Sequence, residues 1–360
     1  MDIVITILVF FAIIIIHELG HFTAARIFGM TVDEFTIGMG PRLFAKRGKK
    51  TLYSFRLLPI GGAVSLGEDL ETDDPNAFRN KPVWQRMIVI VAGAIMNLIL
   101  GLIVCIVSVS LAENIATTRV SAFTADAVSS EKLQLGDRIV EMNGMSIWTT
   151  MDISYCLQNS AAKADEGDEL LDRADEGDAF LYFDMVVERD GARVALYDVP
   201  FVYARASEER SAGIVIDFMV LPEEKNAATV LSAGFRTALT EGRLIWITLL
   251  DLVTGTYGIN DLSGPIGVVT TMSTAYRVMS LNAFLTLVAF ISINIGIFNL
   301  LPIPALDGAR FLFLLIEAIR RKPLPAEKEG MVHFIGFAAL MLLMLIVTFQ
   351  DLARLFTGGT

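Results

Sequence analysis

The sequence predicts a polytopic α-helical membrane protein with four transmembrane helices, a membrane-associated β-hairpin or small sheet, and one extracytoplasmic β-rich domain. Three observations carry this. Of 360 residues, 54% are hydrophobic and only 19% are charged, too apolar a balance for an ordinary water-soluble chain. Apolar runs recur at Ile3–Ile16, Met87–Leu111, Ala283–Ile303 and Met331–Phe349. With their flanks, each reaches the roughly 20 residues that cross a hydrocarbon core. The acidic residues, finally, are segregated: Glu113 to Glu224 holds 23 Asp/Glu against nine Lys/Arg.

The first run continues through "HELGHFTAARIFGM". Asp2 is its only early charge, and no small-residue cleavage site follows, so it reads as a mature helix and not as a signal peptide. The first membrane portion, residues 1–112, ends with the second span at about 87–111. Between the two spans, "TLYSFRLLPIGGAVSLGED" (Thr51–Asp69) alternates, is rich in β-formers and is broken by Pro59, Gly61 and Gly62, the signature of a hairpin or short sheet. Directly after a membrane helix, it is placed to dip back into the bilayer, where such backbone survives only if buried in protein or lining a wet cavity.

Residues 115–217 form the insert. In "LQLGDRIVEMNGMSI" (Leu133–Ile147), Gly136 and Asp137 turn the chain, "RIVEMNG" alternates, and Asn143-Gly144 makes a tight turn. "AFLYFDMVVERDGARVALYDV" supplies two further strands joined at Asp190-Gly191. An acidic insertion at about 163–178 repeats ADEGD; its spacing does not fit a calcium loop, and it reads as a solvated acidic loop. Residues 228–258 are amphipathic but interrupted by Arg236, Glu241, Arg243 and Asp251, the pattern of a helix lying at an interface, with a fifth crossing as the alternative. The second membrane portion, 259–360, holds the spans at about 283–303 and 331–349.

Ten Lys/Arg lie between Arg26 and Arg86, and five more at Arg310, Arg320, Arg321, Lys322 and Lys328. The positive-inside rule then puts these loops in the cytoplasm and the acidic insert and both termini outside. The net charge of −11 argues against nucleic-acid binding. Cys105 and Cys156 fall in a membrane span and in the insert, so neither a disulfide nor a cysteine metal site is expected.

The chemistry sits at His17-Glu18-Leu19-Gly20-His21. On a helix, His17 and His21 stand one turn apart on one face and can share a zinc ion, with Glu18 beside them. Zinc lowers the pKa of a bound water toward neutral; Glu18 can take its proton and pass it to a leaving amine. Only three histidines occur in the chain, so H-E-x-x-H has about a one-in-a-thousand chance of arising from composition. Ionisable groups at membrane depth are costly and mark working sites. As a helix, Ile3–Ile16 is roughly 21 Å long, which puts the metal past the midplane if the N-terminus is outside. A catalytic zinc wants a third protein ligand and one open position. His333 is the remaining histidine. Asp307, in "NLLPIPALDG" (Asn299–Gly308), is the better candidate, because Pro302 and Pro304 break the helix and free a carboxylate to turn inward; the alternative is an ordinary helix cap. Asn294 and Asn299 are candidates for steadying an oxyanion or substrate backbone, with interhelical hydrogen bonding as the alternative. Asn97 reads as structural.

These motifs resemble the site-2 protease family of intramembrane zinc metalloproteases, most closely its bacterial regulator of sigma-E protease branch. "EFTIGMGP" (Glu34–Pro41), "LPIGGAVSLGED", "RMIVIVAGAIMN" (Arg86–Asn97) and "SGPIG" (Ser263–Gly267) also match, and "LQLGDRIVEMNG" resembles a PDZ domain. The resemblance implies that His17, His21 and Asp307 ligate Zn2+, that Glu18 is the catalytic acid/base, and that Asn299 assists. It implies that Leu52–Gly67, with Gly61, Gly62 and Val64 in it, receives an unwound substrate by strand addition. It implies a bacterial cytoplasmic-membrane enzyme cutting single-pass proteins, such as an anti-sigma factor already trimmed by a site-1-type protease, or signal-peptide remnants. The chain departs from the family's better-known members in carrying one PDZ-like copy, in Ala94 where proline is common, and in Ala309 after L-D-G. A non-enzymatic PDZ scaffold with a structural metal, and a metal transporter, are the competing classes.

Overall fold

The protein is described by a computed structural model over residues 2–67, 74–166, 179–204, 213–255, 264, 266–270, 272 and 281–357. Most of the acidic insertion, Glu68 and Asp69, and part of "SGPIG" lie outside the described residues. The chain divides into two compact units, Met1–Ser108 with Ile245–Thr360, and Val109–Leu244.

In the first unit, α1 (Asp2–Ile27), α2 (Val83–Leu111), α5 (Leu281–Leu300) and α7 (Ala326–Thr357) are the four helices among the described residues that are long and apolar enough to cross a membrane. The third ends at Leu300 instead of 303 because Pro302 and Pro304 follow, each lacking the N–H a helix needs. α6 (Asp307–Arg320) resumes beyond them. Small residues let the helices close up. A Cβ on Gly20 would lie 2.4 Å from the Ala92 carbonyl oxygen, and one on Gly101 would lie 2.3 Å from the Ile293 side chain, the close approach typical of membrane helix pairs. Arg86 of α2 grips Glu317 of α6 with two hydrogen bonds of 3.1 and 2.5 Å.

Two strands follow α1: β1 (Glu34–Arg47) and β2 (Leu52–Ser65). The sequence reading expected a hairpin or short sheet within Thr51–Asp69 alone; that stretch is one bent strand, and its partner β1 lies upstream of it. Both strands bend, so their register makes four rows from two strands. Residues 44–47 run antiparallel to 52–55. Residues 34–37 run alongside 52–55 in the parallel sense and pair antiparallel with 62–65 on their other side. Gly38 and Gly40, both at φ 87°, make the bend in β1, a conformation glycine adopts without a Cβ clash. Phe55 packs edge-on against Phe11, and Tyr53 lies near Phe22, so this sheet lies along α1.

The second unit carries a sheet ordered β8-β7-β6-β4-β3-β9, with β5 on β4. Its strands are β3 (Ile115–Phe123), β4 (Arg138–Met142), β5 (Met145–Ser146), β6 (Ala179–Arg189), β7 (Ala192–Ala204), β8 (Gly213–Ile214) and β9 (Phe218–Glu223). The two turns read from the sequence are present, with Asn143-Gly144 at φ 47° and 79° and Asp190-Gly191 at φ 51° and 80°, the paired positive values of a tight hairpin. β6 alternates as a half-buried strand should: Leu181, Phe183, Met185 and Val187 are buried while Phe180 and Tyr182 are exposed. The sequence reading missed α3 (Thr150–Glu166), whose Ile153, Cys156 and Leu157 complete this core. Asp137, wholly buried, takes Arg189 Nε and Nη2 at 2.7 Å each, which explains the Gly-Asp turn: a buried carboxylate needs such a partner. α4 (Ala227–Thr254) is one continuous helix and is not among the candidate spans. Asn226 caps its start by accepting from the Ala228 and Thr229 N–H groups. Arg243 pairs with the buried Asp152 and lies 3.9 Å over the Trp148 ring.

Candidate metal centre

With 3.6 residues per turn, the sequence sets His17 and His21 on one face of α1. The structure gives that face a partner. His21 Nδ1 lies 2.8 Å from the Val89 carbonyl. A carbonyl only accepts, so Nδ1 carries the proton and Nε2 is left as a bare lone pair. That second hydrogen bond is the usual device for orienting a metal-binding imidazole. Gly93 makes the room: a Cβ there would sit 2.3 Å from His21 Nε2.

Asp307 arrives from the far end of the chain as the first residue of α6. The position before it, Leu306, is extended and has no polar side chain to cap the helix. Gly308 lets the helix start where it does, since a Cβ would lie 2.2 Å from the Leu301 carbonyl oxygen and 2.4 Å from that of Leu300. Asp307 Oδ2 then lies 3.2 Å from His17 Nε2 and 3.3 Å from His21 Nε2, and the two imidazole nitrogens are 3.2 Å apart.

The fit to a metal can be judged from these atoms alone. Oδ2 is buried and receives no hydrogen bond. The two Nε2 atoms and the carboxylate oxygen converge on one point, where a cation could be held by all three. The edge of a tetrahedron with metal–ligand bonds of 2.0–2.1 Å is about 3.3 Å, matching all three separations. Among the described residues, His17, His21 and Asp307 are the cluster able to hold a metal. His333 stands apart; its Nδ1 accepts the Ala305 N–H at 3.0 Å.

Glu18 is half-buried beside this cluster, and its side chain rests on the backbone of β2: a Cβ on Gly62 would lie 2.6 Å from Glu18 Cγ. Gly61 adopts φ 75° under the Met39 thioether. Val64 packs against the group formed by Ala24, Met30, Val89 and their neighbours. Asn294 is half-buried in α5. Asn299 donates its amide to the Ile295 carbonyl of its own helix at 2.9 Å; among the described residues no hydrogen bond joins it to the metal cluster or Glu18. Asn97 is wholly buried in α2, and its backbone carbonyl accepts Ser292 Oγ at 2.8 Å.

Sequence reasoning missed two supporting groups: Val89 acts through its carbonyl and Gly93 through the side chain it lacks. The glycines in H-E-L-G-H and L-D-G were the legible signal, for a glycine inside a helix usually marks a close approach.

Two imidazoles and a carboxylate able to hold one metal ion, with a second carboxylate alongside and all carried by apolar helices, are the donor set that a zinc-dependent hydrolase within a membrane requires. The comparisons with known proteins agree. The model of peptidase family M50 matches residues 5–343. A protein of Clostridium acetobutylicum named "putative zinc metalloprotease" is 37% identical over 97% of this chain and 97% of its own length. The regulator of sigma-W protease RasP of Bacillus subtilis is 30% identical, and the zinc metalloprotease RasP of Bacillus licheniformis 31%, each over 97% of this chain and 98% of the relative. The chain belongs to peptidase family M50, the site-2 proteases, and is an intramembrane zinc metalloprotease. The scaffold and transporter readings are set aside.

Proposed function

We propose that the protein hydrolyses a peptide bond within a membrane segment, with His17, His21 and Asp307 holding the zinc and Glu18 moving the proton. When bound, zinc supplies Lewis acidity toward water and the scissile carbonyl. Glu18 accepts a proton from the attacking water and delivers it to the leaving nitrogen, so that amide plus water becomes carboxylic acid plus amine. His21 is kept in its metal-binding tautomer by Val89. Asn299 keeps its side-chain oxygen for substrate backbone while its amide is anchored at Ile295, and Asn294 lies on the same helix.

A helix hides its peptide bonds, whereas an extended chain offers them. Residues 62–65 pair with 34–37 on one side, and among the described residues no strand covers the other. We read that edge, with Gly61, Gly62 and Val64, as the place where an unwound substrate adds as a strand. The observation that carries this is the contact of Gly62 backbone with Glu18, because a strand laid along that edge passes the acid/base directly. The β-rich unit is read as a PDZ-like filter outside the cytoplasm, with both termini on that side and the metal toward the cytoplasm. One relative is named a regulator of sigma-W protease. By that likeness the substrate class is a single-pass anti-sigma factor shortened beforehand by another protease, or a signal-peptide remnant.

The test is Glu18→Gln in purified full-length protein given a model transmembrane substrate. Cleavage is abolished while one zinc per chain remains. Cleavage at the wild-type rate would overturn the assignment.

A further inference from the structure

We propose that His333 is a positioning residue for Asp307: through the backbone N–H of Ala305 it fixes the loop that presents the carboxylate to the two histidines. This rests on the reading of Asp307 as a zinc ligand.

The loop from Leu301 to Leu306 has few ways to hold its shape. Pro302 and Pro304 have no N–H to give. The N–H groups of Leu301, Ile303 and Leu306 bond locally, to the carbonyls of Phe298, Leu301 and Ile303 at 3.0, 2.7 and 3.1 Å. Ala305 is different. It sits at φ 80°, a region that residues with a Cβ rarely adopt, and its N–H crosses to His333 Nδ1 of α7 at 3.0 Å. Two residues later comes Asp307.

α7 holds the same loop at a second point. Gly336, one turn past His333, has no side chain, and a Cβ there would lie 2.2 Å from Pro304 Cβ and 2.7 Å from the Pro304 carbonyl oxygen. On the other side, the Phe313 ring of α6 meets the His333 ring edge-on, 5.4 Å between centres and at 90°. His333 therefore touches the loop before Asp307 and the helix after it. Because Nδ1 accepts, the ring proton is on Nε2, which is buried and bonds nothing among the described residues. Among the described residues, the hydrogen bond the imidazole makes is the one that pins Ala305. A metal site tolerates displacements of only about 0.2 Å, and a strained backbone two residues from a ligand persists only when its surroundings over-determine it.

The test compares three variants of the full-length protein in detergent. His333→Asn keeps an acceptor at the δ position. His333→Gln moves its amide one bond further out. His333→Phe keeps a ring against Phe313 and has no acceptor. Zinc affinity is read by competition against a graded series of chelator, and thermal unfolding of the zinc-free protein is read beside it. The Gln and Phe variants are expected to bind zinc roughly tenfold more weakly, with Asn within about threefold of wild type and the zinc-free melting curves unchanged. Wild-type zinc affinity in both Gln and Phe variants would overturn the proposal, and so would equal losses in all three. If the Phe variant fails to fold, the Asn–Gln pair decides alone. Asp307→Asn is the control: if it retains zinc as tightly as wild type, the ligand assignment itself is wrong, whereas zinc lost there and kept in the Phe variant refutes only the role of His333.

Discussion

Replacing Gly93 by alanine isolates the metal centre from the fold around it. The added Cβ would lie 2.3 Å from His21 Nε2 and 2.8 Å from both Cδ2 and Cε1. Ordinary contact begins at 3.4 Å, so the ring must retreat by about 1.1 Å, the difference between 3.4 and 2.3. It has no free direction. Nδ1 is tied to Val89 at 2.8 Å, and Nε2 faces His17 and Asp307 at 3.2 and 3.3 Å. A displacement of that size exceeds the roughly 0.2 Å a zinc bond tolerates, and an ångström of misplacement in a catalytic group costs about a hundredfold in rate. The helix itself gains about 1 kcal/mol, because alanine is better than glycine in a helix interior, against about 1–3 kcal/mol for overpacking. The expected variant is therefore folded, melts somewhat lower than wild type when zinc-free, binds zinc at least tenfold more weakly, and cleaves at about 1% of the wild-type rate or less. Metal analysis after dialysis and a cleavage assay check this. Full zinc occupancy with wild-type cleavage in Gly93→Ala would refute the placement of His21.

Gly308→Ala should fail at the opposite ligand, because its Cβ would strike the Leu300 and Leu301 carbonyl oxygens; the start of α6 shifts, and zinc retention drops while Glu18 and both histidines are untouched. In the β-rich unit, burial, with Asp152 adding to it, raises the Cys156 thiol to about 11. Only the thiolate reacts, so at pH 8 site-resolved iodoacetamide labelling of Cys156 should run roughly two-hundredfold slower than that of a free thiol and accelerate as pH rises toward 11; fast labelling at pH 8 would contradict the packing of α3.

What could be read in advance was whatever a short-range pattern encodes. The i, i+4 spacing of His17 and His21 needs nothing but a helix. Pro302, Pro304 and the L-D-G run announced a broken helix with a carboxylate at the break. Asn143-Gly144 and Asp190-Gly191 named their own turns. The omissions arose where the determinant is long-range or is not a side chain. β1 was hidden because Gly38, Gly40 and Pro41 look like loop, whereas two glycines at positive φ bend a strand without ending it. α3 was hidden because a polar helix declares itself only once Ile153 and Leu157 have a sheet to meet. Val89 orients His21 through a carbonyl that every residue possesses. His333 looked like a spare ligand; its work on Ala305 appears only when α7 lies against the proline loop.

The assignment of ligands is tested most directly by counting zinc in purified Glu18→Gln protein and in the Glu18→Gln, Asp307→Asn double variant, so that self-cleavage cannot intrude. One zinc per chain in the first and little or none in the second is the expected result. Equal zinc in both, or none in the first, would contradict a centre built from two imidazoles of α1 and the carboxylate of α6.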